Sequence, residues 1–165
     1  MSRSVWAGAA VAAAAILTAT AVQAQDPYVR LSNSYLGSGM SLDLGNRVNP
    51  GLLTGEMLAT GQAFGQFWNF VPQGDGSFRM MNRLAPGQCL DVSGDGITYM
   101  DQCGGQIGQR WRVSGSNGNV SIFNDFMPGR CLDTSSDPGM HIAMMAPCGG
   151  QTGQRWTVIS TGVWP

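Results

Sequence analysis

The chain has 165 residues, and its nine basic residues, all arginine, stand against ten acidic ones for a formal net charge of −1. So even a balance, with no lysine and no basic stripe, argues against an electrostatic grip on nucleic acid or anionic lipid. The length suits one hydrophobic core rather than two ordinary domains, and 24 glycines suit short strands joined by tight turns.

The chain opens on a short basic segment at Arg3, runs through an Ala-rich apolar stretch over residues 5–22, and reaches the small-residue pattern Val22-Gln23-Ala24. Residues 1–24 therefore read as a signal peptide, with an uncleaved membrane anchor as the alternative. The mature chain, residues 25–165, is expected to be secreted or periplasmic, without stable membrane insertion once the signal is removed.

Residues 28–33 alternate well enough for a first strand, a turn near 37–39 leads to a second at 41–44, and Asn49-Pro50-Gly51 marks a loop over 46–55. A third strand is expected at 56–59 and a fourth at 66–71, with Trp68 and Phe70 on one face. Gly74-Asp75-Gly76 turns the chain into strands at 78–82 and 89–92, with a short tip at 93–98, and 109–113 closes the unit. Beyond the turn at Asn117-Gly118-Asn119 the order recurs, with strands at 120–124, 131–134 and 157–159 and a tip at 135–141. No segment carries a 3.6-residue period, so almost no helix is expected.

The recurrence is quantitative. Counting back from Trp68, Trp111 and Trp156, position −2 is Gln66, Gln109 or Gln154, −3 is Gly65, Gly108 or Gly153, and −11 is Met57, Met100 or Met145. Upstream, Leu-Asp stands at Asp43, Asp91 and Asp133, preceded at four residues by Gly39, Gly87 and Gly129 and at seven by Leu36, Leu84 and Phe126. The Trp spacings of 43 and 45 residues describe three copies, about 28–71, 77–113 and 119–159, in one domain. Asp-to-Trp distances of 25, 20 and 23 residues place the length variation in hairpin tips. About twelve short antiparallel strands must close or cover their edges. The Trp residues, the Met residues and Phe70, Val113 and Val158 are the natural core.

Four cysteines in an exported chain allow three disulfide pairings. The repeat selects one, because Cys89 and Cys103 occupy the same two positions as Cys131 and Cys148, and both change together in the first copy, to Ser41 and Thr60. A zinc site is the competing reading, but the spacings lack Cys-x-x-Cys pairs and the only histidine is His141. No metal and no cofactor is expected.

Cys-Leu-Asp, a later Cys and Gly-Gln-x-Trp, repeated at this period, resemble the ricin-type β-trefoil lectin domains over about residues 28–159. The resemblance is specific in the second and third copies and weaker in the first. It implies an all-β trefoil, a six-stranded barrel capped by three hairpins, with one potential sugar pocket per copy and a non-catalytic, carbohydrate-binding function. By position it makes Asp43, Asp91 and Asp133 the candidate carboxylates, accepting sugar hydroxyls, and Gln66, Gln109 and Gln154 residues that support each pocket from behind. The sequence departs from the family at two contact positions. Leu58, Asp101 and Ala146 stand where sugar-binding members usually carry an aromatic, and Gly65, Gly108 and Gly153 where they carry Asn. Tyr99 and His141, each eight residues after its Asp, are the nearby substitutes, and packing is the other reading of both.

Two functions follow. One is a glycan-binding module using Asp91 with Tyr99 and Asp133 with His141; the other is a trefoil that has lost sugar binding and meets a protein partner through its hairpin tips, its Asp residues kept as turn caps. An enzyme fits poorly, since His141 has no nucleophile motif around it and threefold-related Asp residues stand too far apart to pair in glycoside hydrolysis. Trp164 has no repeat position.

Overall fold

The computed structural model describes residues 28–161 except Asn49, Asn117, Gly118 and Pro138, so the signal peptide expected at 1–24 and Trp164 lie outside the described residues. Twelve strands form: β1 (Val29–Asn33), β2 (Met40–Gly45), β3 (Thr54–Ala59), β4 (Trp68–Pro72), β5 (Phe78–Asn82), β6 (Gln88–Val92), β7 (Thr98–Gln102), β8 (Trp111–Ser116), β9 (Asn119–Asn124), β10 (Arg130–Thr134), β11 (Ala143–Pro147) and β12 (Trp156–Ser160).

Three antiparallel ladders, β1 with β12, β4 with β5 and β8 with β9, make the six barrel strands. Single pairs beside the tryptophans join them into a ring: Val29 with Trp68, Phe78 with Trp111, and Val120 with Trp156. The hairpins β2–β3, β6–β7 and β10–β11 cap the barrel. The caps interlock through their methionines, whose backbone N–H groups donate to the preceding hairpin in the ring: Met57 to His141 O, Met100 to Leu53 O and Met145 to Gly96 O, at 2.7–2.8 Å. A closed ring of this kind removes the exposed edges that short strands would otherwise present. This is the β-trefoil that the resemblance implies.

Trp68, Trp111 and Trp156 are wholly buried, and each indole N–H donates to the carbonyl of the Leu before the repeat's Asp, Leu42, Leu90 or Leu132, at 2.8–2.9 Å. Burying so large a ring is affordable in energy because its one polar atom is satisfied. Met57, Met100 and Met145 are buried beside them. The disulfides join Cys89 to Cys103 and Cys131 to Cys148, each within its own hairpin. In the first copy the Ser41 and Thr60 hydroxyls hydrogen-bond at 2.8 Å in the same place.

Several boundaries differ from the sequence reading. β3 starts at Thr54, two residues early, because Thr54 pairs with both Gly45 and Tyr99. Gln66 and Gln109 do not begin strands; like Gln154, each ends a single 3-10 turn, Phe64–Gln66, Ile107–Gln109 or Thr152–Gln154. Val158 is not core: burial falls along β12 outward from Trp156, whereas Phe70 and Val113 pack on the core.

Candidate functional site

Each Asp sits inside its cap strand with its carboxylate turned toward the 3-10 turn of its own copy. Oδ1 of Asp43, Asp91 and Asp133 accepts the N–H of the following residue, Leu44, Val92 or Thr134, at 2.7 Å. Oδ2 of Asp43 and Asp133 accepts the amide of Gln66 or Gln154, at 2.9 and 2.8 Å. Gln109 stands correspondingly at Asp91 and favours its charged form. The three Gln side chains are buried and fully engaged, each accepting from Gly61, Gly104 or Gly149 N–H and donating to a carbonyl at the end of its hairpin. They fix the carboxylates from behind.

Burial pushes the Asp43 and Asp91 carboxyls above the usual carboxylate range, opposed by the Gln amide and the backbone N–H. For Asp43 the neighbouring Glu56 adds to the rise. Glu56, the only glutamate of the chain, pairs across the ladder with Asp43 and is buried; its carboxylate accepts the Arg47 N–H at 2.9 Å and faces the Arg47 guanidinium at 3.4 Å. The corresponding ladder partners are Tyr99 for Asp91 and Met144 for Asp133.

The Gly before each Gln explains the missing Asn. A Cβ on Gly65, Gly108 or Gly153 would overlap Oδ1 of Asp43, Asp91 or Asp133, so only glycine lets the carboxylate lie against the turn. The carbonyls of these glycines in turn accept amide hydrogens from Asn82, Asn124 and Asn33, at 2.6–2.8 Å, and those Asn residues belong to the next copy in the ring. Each Asn is buried, and its Oδ1 accepts the N–H of the residue two further on, Leu84, Phe126 or Tyr35. Those three side chains are exposed.

An open cleft of about 380 Å³ is lined by Asp95 and Tyr99, with Val48, Leu52 and Ile97. Two others contain an Asp of the repeat. One, of about 280 Å³, is lined by Asp133 and Thr134, by Gln151, Thr152 and Gly153, and by Tyr35 from the first copy. The other, of about 200 Å³, holds Asp91, Tyr99, Asp101, Ile107 and Gly108, with Phe126 from the third copy. Tyr99 thus stands in the same cleft as Asp91, and its phenol is held above the ordinary range by burial, then by the charges of Asp91 and Asp101. His141 stands outside the lining of the Asp133 cleft; the third tip is longer, its ring lies 3.3 Å from Ser135 O, and its backbone carbonyl serves the hairpin interlock. At Asp43 the surroundings differ: Arg83 stacks its guanidinium 4.4 Å above the Phe64 ring.

The sequence reading did not find Asn33, Asn82, Asn124 or Tyr35. An Asn at the end of each copy's first strand was visible, but counting back from Asp selects Leu36, since the first copy has one extra residue in this turn. Tyr35 is the true counterpart of Leu84 and Phe126, whereas Leu36 packs on the core as Ala85 and Met127 do. Among the described residues no group of His, Cys, Asp and Glu could hold a metal ion, and no helix is long and apolar enough to cross a membrane.

The barrel, its caps and its three hydrogen-bonded carboxylate turns define a trefoil of lectin type. Residues 28–156 match the ricin-type beta-trefoil lectin domain, and the chain belongs to that family, a family of carbohydrate-binding modules. Among solved structures it is similar to the designed threefold-symmetric protein ThreeFoil, with 22% identity and a TM-score of 0.71 over 82% of this chain and all of that one. The hemolytic lectin CEL-III shares 26% identity at a TM-score of 0.63, over 79% of this chain and 29% of that one. The Polyporus squamosus lectin, solved bound to the epitope Neu5Aca2-6Galb1-4GlcNAc, shares 16% at a TM-score of 0.65, over 82% of this chain and 49% of that one. No curated protein matches the chain.

Proposed function

We propose that this protein is an exported, non-catalytic lectin module whose working sites are the Asp91 and Asp133 clefts. The observation that carries the reading is a carboxylate fixed by a buried Gln and a backbone N–H at the floor of an open cleft with an aromatic ring in its wall, in both copies. Such a site offers an ionised acceptor to sugar hydroxyls and an apolar face to the sugar's C–H side, the pairing that pyranose recognition needs. Two hairpin disulfides suit an oxidising compartment, in keeping with residues 1–24 as a signal peptide. The Asp43 site is the weakest of the three, with Glu56 beside its carboxylate and Arg83 over Phe64.

A glycan array probed with the disulfide-intact chain, beside the Asp91→Asn/Asp133→Asn double variant, tests this. Binding that the double variant loses while keeping its unfolding temperature supports the lectin reading. Silence from a folded chain overturns it in favour of a protein-binding trefoil, in which the Asp residues serve only as turn caps.

A further inference from the structure

We infer that each working sugar site is shared between two copies of the repeat: the carboxylate comes from one copy, and the aromatic platform from the turn that opens the next. Asp133 works with Tyr35, closing the ring from third copy to first, and Asp91 works with Phe126. This rests on the lectin reading and names the residues that would bear a hexopyranose's apolar face.

The sequence leaves each hairpin without an aromatic two residues before its second Cys position, and the structure brings one from elsewhere. Tyr35 lines the Asp133 cleft with its side chain 48% exposed, and Phe126 lines the Asp91 cleft at 44%. Neither ring is needed by the core. A singly exposed ring needs no ligand to explain it, but a ring in the wall of a cleft floored by a carboxylate is placed to receive an apolar face whose other edge is polar. A pyranose ring has the size and the amphipathic character to fit, with its hydroxyl edge toward the carboxylate.

The platform is also held in register with the carboxylate. Asp133 lies against Gly153, the Gly153 carbonyl accepts the Asn33 amide at 2.8 Å, and Asn33 Oδ1 accepts the Tyr35 N–H at 3.1 Å. The Ser34 N–H donates to Arg155 O at 2.9 Å and clamps the same turn from its other side. In the second site the chain runs Asp91, Gly108, Asn124, Phe126, and the Asp125 N–H donates to Arg110 O at 3.0 Å. Arg112 adds a two-pronged pair to Asp125, at 2.7 and 2.9 Å, next to Phe126. Two elements tied by short hydrogen bonds on a rigid barrel are preorganised, which lowers the ordering cost of binding. The third instance of this clasp ends in Leu84, which offers no ring, and Phe64 in the 3-10 turn of the first copy, though exposed, has the Arg83 guanidinium stacked 4.4 Å over its ring.

The test is a double-variant cycle on the full chain, read by titration against immobilised galactose, lactose, mannose and N-acetylglucosamine. In the Asp91→Asn background, which leaves the third site alone, Tyr35→Ala should weaken binding about tenfold while Tyr35→Phe leaves it intact, as expected for a ring-face contact. In the Asp133→Asn background Tyr35→Ala should change nothing further, and Phe126→Ala should show the opposite dependence. Half-exposed rings leave unfolding temperatures unmoved in either case. Binding by the wild-type chain that survives Tyr35→Ala and Phe126→Ala, or effects that add regardless of which Asp is present, overturns the shared site but not the lectin reading. Silence of the folded wild-type chain on all four sugars overturns both.

Discussion

The first copy of the repeat and the third share a backbone and differ in almost everything laid on it. The third has a disulfide, a partly exposed Asp133, an open cleft and Tyr35 in its wall. The first has a hydroxyl pair in place of the disulfide, a buried Asp43 beside a buried Glu56, and an exposed phenylalanine, Phe64, with Arg83 stacked on it. What both keep is the Trp, the Met, the Gln and the Gly-against-Asp contact. The comparison separates the residues that build a trefoil from those that equip it.

The largest effect should come from what the copies share. Truncating Trp68 or Trp156 to Ala removes a fully buried ring in either copy, and each should cost about 3–5 kcal/mol in denaturant unfolding. Unequal losses would break the view of the scaffold as threefold-equivalent.

Next comes the cross-link. Replacing Ser41 and Thr60 by Cys should form a third hairpin disulfide and raise stability by about 3 kcal/mol in oxidising buffer, a gain that dithiothreitol cancels. The Cys131→Ser/Cys148→Thr double variant runs the comparison the other way and should lose a similar amount. A third copy that tolerated this change without loss would show that the hydroxyl pair is as good a clasp as the sulfur bridge.

The smallest effect is in pH. Asp43 and Asp91 have folded-state pKa values raised by burial, so the folded chain holds more protons than the unfolded one between the ordinary Asp range and the raised values. Stability contributed by these groups therefore falls as pH rises through that window and levels off above it. Asp43→Asn should flatten this slope relative to wild type in urea titrations at pH 4 to 7. Glu56→Gln should flatten it less, since Glu56 is the last of the influences on Asp43. Sugar binding at Asp91 should weaken on acidification through the same window, as its carboxylate protonates.

The fold was legible in the sequence because the trefoil writes its constraints at fixed distances from each Trp. Buried side chains with one orientation, such as Trp111 and Met100, and the disulfide positions shared by two copies tolerate no slip. The candidate site was legible on its carboxylate side and, in the second copy, at Tyr99, which lines the cleft of Asp91. Asp91 and Asp133 lie inside strands, at register positions, whereas Phe126 and Tyr35 reach their clefts from turns of a different copy, where local spacing says nothing. A single inserted residue after Asn33 moved Tyr35 out of alignment with Phe126, and three more residues in the third tip gave His141 the offset of Tyr99 without its place. The 3-10 turns were hidden for a related reason: one turn of helix has no period to detect.

The Asn clasps differ in one respect beyond chemistry. Asn82 and Asn124 reach glycines 17 and 16 residues away, but Asn33 reaches Gly153 across 120. Closing the longer span costs about 2 kcal/mol more in chain entropy, and it cannot begin until Gly153, just ahead of β12, has been made. During synthesis the Asp91 cleft can assemble from neighbouring segments while the Asp133 cleft waits for the two ends to meet. Possession of that last cleft is thus a late event: a chain cut short before Gln151 would carry every residue of the Asp91 cleft and lack the Gln151, Thr152 and Gly153 wall of the Asp133 cleft.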